Sequence, residues 1–152
     1  MCDKCHQKYT GYNWCHPCNA NQFQNGFDKW TSKDREIDHF IQQTQLNANK
    51  SQGIVEWIPF DRFENVTYLS KGGFGTVYKA KWLDGFILSW DCEGKNWLRP
   101  EVEQDVCLKS FDNSTNENDF LRQEVNISCI EFSLFYFKYI KIIFFMLINI
   151  LD

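Results

Sequence analysis

Four of the seven cysteines fall within the first 18 residues, as Cys2-x2-Cys5 and Cys15-x2-Cys18 with nine residues between the pairs. Two residues between thiols let both sulfurs of a tight turn face one ion, and two such turns complete a closed tetrahedral shell for zinc. A closed shell leaves no open position for water, so the expected metal is structural rather than catalytic. A segment this small has no core without metal. Residues 2 to 6 read CDKCH and also fit c-type haem attachment, but the second pair and the polar start of the chain weigh against it. His6 and His16 are expected to be bystanders, and Cys92, which has no CxxC partner, is not expected to bind metal. Gly11, Tyr12 and Trp14 in the spacer read as a turn with packing aromatics, or equally as a small peptide-binding surface.

A second constellation is LSKGGFGTVYKAKW at 69 to 82, followed by VCLK at 106 to 109. Glycines let backbone amides approach phosphate oxygens closely, so the question is what flanks them. A dinucleotide fold needs G-x-G-x-x-G to open a helix, and a P-loop needs G-x-x-x-x-G-K-[ST]. Neither condition is met. Residues 66 to 70 and 76 to 82 read as strands, which makes KGGFG a tight turn inside a hairpin.

The elements around these sites follow from composition and periodicity. With 152 residues the chain has room for one modest domain and extras, and its net charge of -4 includes no basic run that could track a phosphate backbone, so no nucleic acid is expected as partner. The polar N-terminus has no apolar signal-like stretch, and a reducing, cytoplasmic setting is expected, where paired cysteines favour metal over disulfides. From Phe23 to about Ser51 the chain is Gln- and Asn-rich. Within it, Thr31 is expected to cap a helix with Asp34 at its third position, and Ile37, Phe40, Ile41 and Leu46 form its apolar stripe. His39 in that stripe is read as a surface or packing residue. The stretch FILSWDCEGKNWLRPEVEQ, with Trp90 and Trp97 around a polar turn, reads as an inserted hairpin extending the edge of the sheet.

A hairpin whose glycine turn folds over phosphates is the protein-kinase arrangement. Residues 57 to about 128 resemble the small lobe of a eukaryotic-type protein kinase. The resemblance places Ser70, Gly72 and Gly75 at the three glycine positions, with Ser70 a departure. It also puts Leu69 before the loop, Gly73 within it, Phe74 at its tip and Val77 on the adenine face. VCLK resembles V-A-I-K, which implies that Lys109 contacts the α and β phosphates and that Cys107 takes the small alanine position. TNENDFLRQEV reads as a helix entered at Ser114 or Thr115, with Phe120, Leu121 and Val125 on its buried side. Glu124 matches the glutamate that pairs with the lysine. The longer string, from TGYNWCHPCNA to the glycine loop, resembles the expanded kinase-like families of arbuscular mycorrhizal fungi, in which a cysteine-paired segment precedes the kinase domain. The resemblance implies ATP as ligand, a protein substrate of serine/threonine or tyrosine type, and Mg2+ only in a full-length form.

The H-R-D-x-x-x-x-N and D-F-G motifs of phosphoryl transfer do not occur in this sequence. Asp84-Gly85-Phe86 holds the D-F-G letters in the wrong order and upstream of Lys109. The chain by itself is therefore expected to lack catalytic residues and, at most, to bind nucleotide weakly. From 131 to 152 the chain turns largely apolar, and three readings stay open. One is a membrane anchor over 132 to 151, since about 20 apolar residues span a bilayer. The second is buried strands substituting for the rest of the lobe. The third is a translation of A/T-rich noncoding DNA, the composition fitting that source. The expected fold is α+β: a zinc-ribbon-like module at 1–20, a polar linker with an amphipathic helix at 21–56, the kinase-like small lobe at 57–130 and the hydrophobic tail. The alternatives to an ATP-binding lobe are a non-catalytic zinc-containing adaptor for a protein partner and a membrane-tethered regulator.

Overall fold

The computed structural model describes residues 1–72, 75–110 and 142–144. The chain divides into two compact units: Met1–Ile58 with Phe86–Glu101, and Pro59–Gly85 with the chain from Val102 onward. It is an α+β protein with a small sheet that is largely antiparallel.

In the first unit, helix α1 spans His16–Gln24 and α2 spans Arg35–Asn47. Cys15 is extended at the N-cap of α1 and a proline follows within the first two helical positions, where its missing N–H is harmless. Asp34, not Thr31, caps α2: its carboxylate accepts the Glu36 and Ile37 amides at 2.8 and 3.2 Å. Thr31 is taken by another acceptor. Its hydroxyl donates to Asp38 at 2.6 Å, and the Ser32 amide donates to the same carboxylate at 2.7 Å. Lys33, at φ 70, then turns the chain into the helix. The buried stripe is Ile37, Ile41 and Gln45, spaced four apart on one face. Phe40 and Leu46 are half-buried and His39 is exposed. Gln45 is tolerated there because its Nε2 donates to the Val55 carbonyl at 2.9 Å.

The core of this unit is aromatic. Trp14, Phe23, Ala48, Ile54 and Ile87 are buried together, with Phe27 and Trp97 against them. Phe23 stacks on Trp97 at 4.3 Å, Trp14 lies parallel to Trp97 at 6.2 Å, and Trp90 meets Trp97 edge-on at 5.0 Å. Trp97 belongs to the inserted hairpin, whose strands β3 (Ser89–Asp91) and β4 (Asn96–Leu98) face one another as Trp90↔Trp97. The hairpin forms as expected, but it does not extend the larger sheet; it is a separate two-stranded sheet within the first unit. Ile87 and Trp97 instead gain an apolar environment among the N-terminal aromatics. The segment read as a linker at 21–56 is likewise part of a compact unit, and the lobe begun at 57 is interrupted by 86–101.

In the second unit, β1 (Phe63–Gly72), β2 (Gly75–Trp82), β5 (Gln104–Ser110) and β6 (Ile142–Phe144) lie in the order β1-β2-β5-β6. The first three are antiparallel and β6 runs parallel to β5. Period-two alternation sorts the side chains. Ala80 and Trp82 of β2 and Val106 and Leu108 of β5 are buried on one face. Val77, Lys79 and Lys81 share the other face with Lys109, Cys107 and Asp105. Lys79 pairs with Asp105 at 3.1 Å and Lys81 with Glu103 at 3.0 Å on the surface, worth roughly 0–1 kcal/mol each. Asp84 accepts a two-pronged contact from Arg62, Nε to Oδ2 at 2.8 Å, and the chain then turns at Gly85 with φ 66. That residue thus anchors a turn, a role unrelated to a metal-holding aspartate.

Strand β6 places three residues of the apolar tail in the sheet; the rest of 131–152 lies outside the described residues. No helix among the described residues is long and apolar enough to cross a membrane.

Asp34→Ala is expected to destabilise the protein by about 1 kcal/mol in urea unfolding, and Asp34→Ser by much less. Burial pushes the Asp38 carboxyl up, but hydrogen bonds from Ser32 and Thr31 outweigh it and hold the group below its ordinary value. A depressed carboxyl stabilises the fold above its unfolded pKa and loses that contribution as pH falls through the folded value. Helical circular dichroism measured down an acid titration should therefore show Asp38→Asn with a shallower loss of stability below about pH 4 than the unmodified chain.

Candidate functional site

The first cysteine pair sits in a reversed turn. The His6 amide donates to the Cys2 carbonyl at 2.9 Å and the Cys2 amide to the Gln7 carbonyl at 2.8 Å, with His6 at φ 55. The chain returns through a second tight reversal, where Thr10 N donates to Trp14 O at 2.8 Å and Gly11 and Trp14 exchange longer bonds. Gly11 sits at a close approach there: a Cβ would lie 3.1 Å from the Asn49 carbonyl oxygen and the Lys50 Cβ, so a side chain would need those neighbours to shift. The second pair differs from the zinc-ribbon expectation. Cys15 is the N-cap of α1 and Cys18 lies in its first turn, so one pair is on a turn and the other on a helix N-terminus. Proline after Cys15 favours the helix over a second extended turn.

These elements bring the four sulfurs to one point. Sγ of Cys2 lies 3.7 Å from that of Cys18, Sγ of Cys5 lies 3.4 Å from that of Cys15, and all four are within 4.8 Å of one another. All four cysteines are free thiols, Cys2 and Cys15 buried. A tetrahedral shell at a metal–sulfur distance of about 2.3 Å has edges of about 3.8 Å, so the donor set fits an ion with little adjustment. Four close cysteines can therefore hold a metal ion here.

Electrostatics agrees with that use. The Cys5 backbone N–H is the main influence pulling the Cys2 thiol down, to about 6, against the opposing effect of burial. Burial pushes Cys15 and Cys18 up, reinforced by the neighbouring sulfurs. One thiolate forms readily, and further ionisation is resisted by charge already present; a divalent cation removes that resistance. The Cys18 amide, in the first turn of α1, draws the Cys15 thiol down without overcoming burial.

Other spacer residues have packing roles. His16 Nε2 donates to the Leu46 carbonyl at 2.7 Å and ties α1 to α2. Trp14 is 1% exposed and its indole N–H donates to Ala48 O at 2.8 Å, so it is core rather than part of a peptide-binding surface. Tyr12, by contrast, is 94% exposed.

In the second unit the hairpin closes at Gly72↔Gly75, with Ser70↔Val77 two steps in. Leu69 falls at a register shift between Tyr68 and Ser70 and is 50% exposed. Val77 faces Lys109 directly across β2 and β5, and Cys107 faces Lys79. Burial raises the Cys107 thiol while Lys79 draws it the other way. Gly73, Phe74 and Glu124 lie outside the described residues. Sequence reasoning missed Trp97 and Phe23 as packing partners of Trp14, the residue before Cys15. The signal available was a tryptophan on each arm of a short hairpin, which tells of packing but not of the partner.

No family model matches the chain, and no curated protein or solved structure matches it.

The unmodified chain is expected to bind one equivalent of Co2+ with the intense sulfur-to-cobalt absorption of a four-thiolate site. Serine at any of positions 2, 5, 15 or 18 should weaken binding by at least an order of magnitude. His6→Ala and His16→Ala should leave the thiolate spectrum in place.

Proposed function

We propose that this chain combines a zinc-stabilised N-terminal module with the nucleotide-binding small lobe of a protein-kinase-like protein. The observation that carries the nucleotide reading is the register Val77↔Lys109, two residues in from the Gly72↔Gly75 turn. Directly paired residues of antiparallel strands project to one face, so an apolar side chain for a base and a cation for phosphates stand side by side under a glycine turn. In this reading Leu69, Val77 and Cys107 flank the base, the amides around Gly72, Gly73 and Gly75 approach the phosphates with Ser70 and Phe74 completing the loop, and Lys109 contacts the α and β phosphates with Glu124 as its partner. Phosphoryl transfer would need magnesium-holding and hydroxyl-orienting side chains that this sequence does not contain, so the activity proposed for the chain is binding alone.

Zinc is the proposed metal because four sulfurs within 4.8 Å of one another suit a soft, closed shell. When bound, it neutralises thiolate charge and cross-links the first turn to α1.

The test is a thermal shift of the zinc-loaded chain with a non-hydrolysable ATP analogue. At a ligand concentration ten times Kd the expected stabilisation is roughly 1.4 kcal/mol, and Lys109→Ala should abolish it without changing zinc content. No shift at millimolar analogue in folded, zinc-loaded protein would refute the nucleotide reading.

A further inference from the structure

The first unit is built from two stretches that are distant in sequence, and the second of them, Phe86–Glu101, is the connection between β2 and β5. That arrangement gives the metal centre a mechanical output. Cys15 is one of the four cysteines placed to hold a metal ion, and Trp14, its chain neighbour, is 1% exposed. The Trp14 indole is fixed by its bond to Ala48 O and lies parallel to Trp97 at 6.2 Å and 16°. Phe23, one turn and a half beyond Cys18 on the same helix, stacks on the same Trp97 at 4.3 Å. Two of the three ring contacts of Trp97 are thus set by the segment that carries the second cysteine pair, and the third, Trp90, lies on the hairpin itself.

We infer that metal loading clamps the β3–β4 hairpin through Trp14 and Phe23, and that metal loss releases it, so the metal state controls how tightly the β2–β5 connection is held. The reason is cooperative. Short elements such as α1, α2 and a three-residue-stranded hairpin are marginal alone and fold on one shared core, so removing the cross-link that orients Trp14 and α1 removes the surface on which Trp97 rests. When that surface is lost, Leu83–Glu103, the residues between Trp82 and Gln104, become a slack loop joining β2 and β5. Loop closure then opposes the pairing that sets Lys109 opposite Val77. Linkage makes the effect reciprocal: if metal favours the docked hairpin, the docked hairpin favours metal by the same factor. The inference rests on metal binding by the four cysteines and does not require the nucleotide reading.

The experiment compares hydrogen exchange of the full chain with zinc bound and after zinc removal by chelation. Amides of 86–101 and 16–24 should lose protection together, with exchange more than about tenfold faster, and those of β2 and β5 should speed up to a smaller extent. Retained protection of 86–101 in metal-free protein overturns the inference. Trp97→Ala supplies the reciprocal arm, with zinc affinity measured by competition against a chromophoric chelator. The expected loss is on the order of tenfold, with Trp97→Phe close to the unmodified chain. An unchanged affinity in Trp97→Ala, alongside a normal cobalt–thiolate spectrum, overturns the coupling alone. Absence of that spectrum in the unmodified chain overturns the metal reading and the coupling with it.

Discussion

In the first unit, four thiols from two stretches of the first 20 residues converge within 4.8 Å of one another. Sulfurs at that spacing are either protonated and weakly attractive or ionised and mutually repulsive, and a divalent cation changes the sign of that interaction. Much of the unit's geometry bears on bringing them there. The His6 turn presents the first pair, the Gly11–Trp14 reversal brings the chain back, and the N-terminus of α1 offers the second pair to the same point. Trp14 then carries the consequence inward, since the residue beside a ligand is also one of the most buried side chains of the core.

The sheet of the second unit obeys a different constraint. Strict alternation along β2 and β5 divides apolar from charged positions, burying Ala80, Trp82, Val106 and Leu108 and leaving Lys79, Lys81 and Asp105 at the surface. The same alternation puts Val77 and Lys109 together. One backbone rule therefore supplies both the core of the sheet and the arrangement on which the nucleotide proposal rests. The break in the sequence of this sheet, Phe86–Glu101, is absorbed by the first unit, so two groups of residues with different stabilising interactions are threaded through one another.

Local signals were read well where local physics decides. The CxxC pairs, the strands around the glycine turn, the Trp90–Trp97 hairpin and a helix bearing Ile37 and Ile41 all followed from spacing and periodicity. Where two nearby groups compete, the pattern was ambiguous. Thr31 and Asp34 are both good caps, and Asp38 settled the matter by binding Thr31 and Ser32. Cys15-His-Pro-Cys18 fits a turn as well as a helix start, and proline within the first helical turn resolved it.

The sequence by itself determined which residues can do chemistry: four thiols in two pairs, a glycine turn between strands, and a lysine at a strand end. Those features depend on neighbours within a few residues, and bond lengths with strand or helix periods suffice to read them. Tertiary structure alone decided which partner each apolar face met. Trp97 could pair along a sheet edge or stack on N-terminal rings with equal local logic, because hydrophobic burial has no direction and rewards whichever surface is available. In this fold the surface Trp97 met was Trp14 and Phe23.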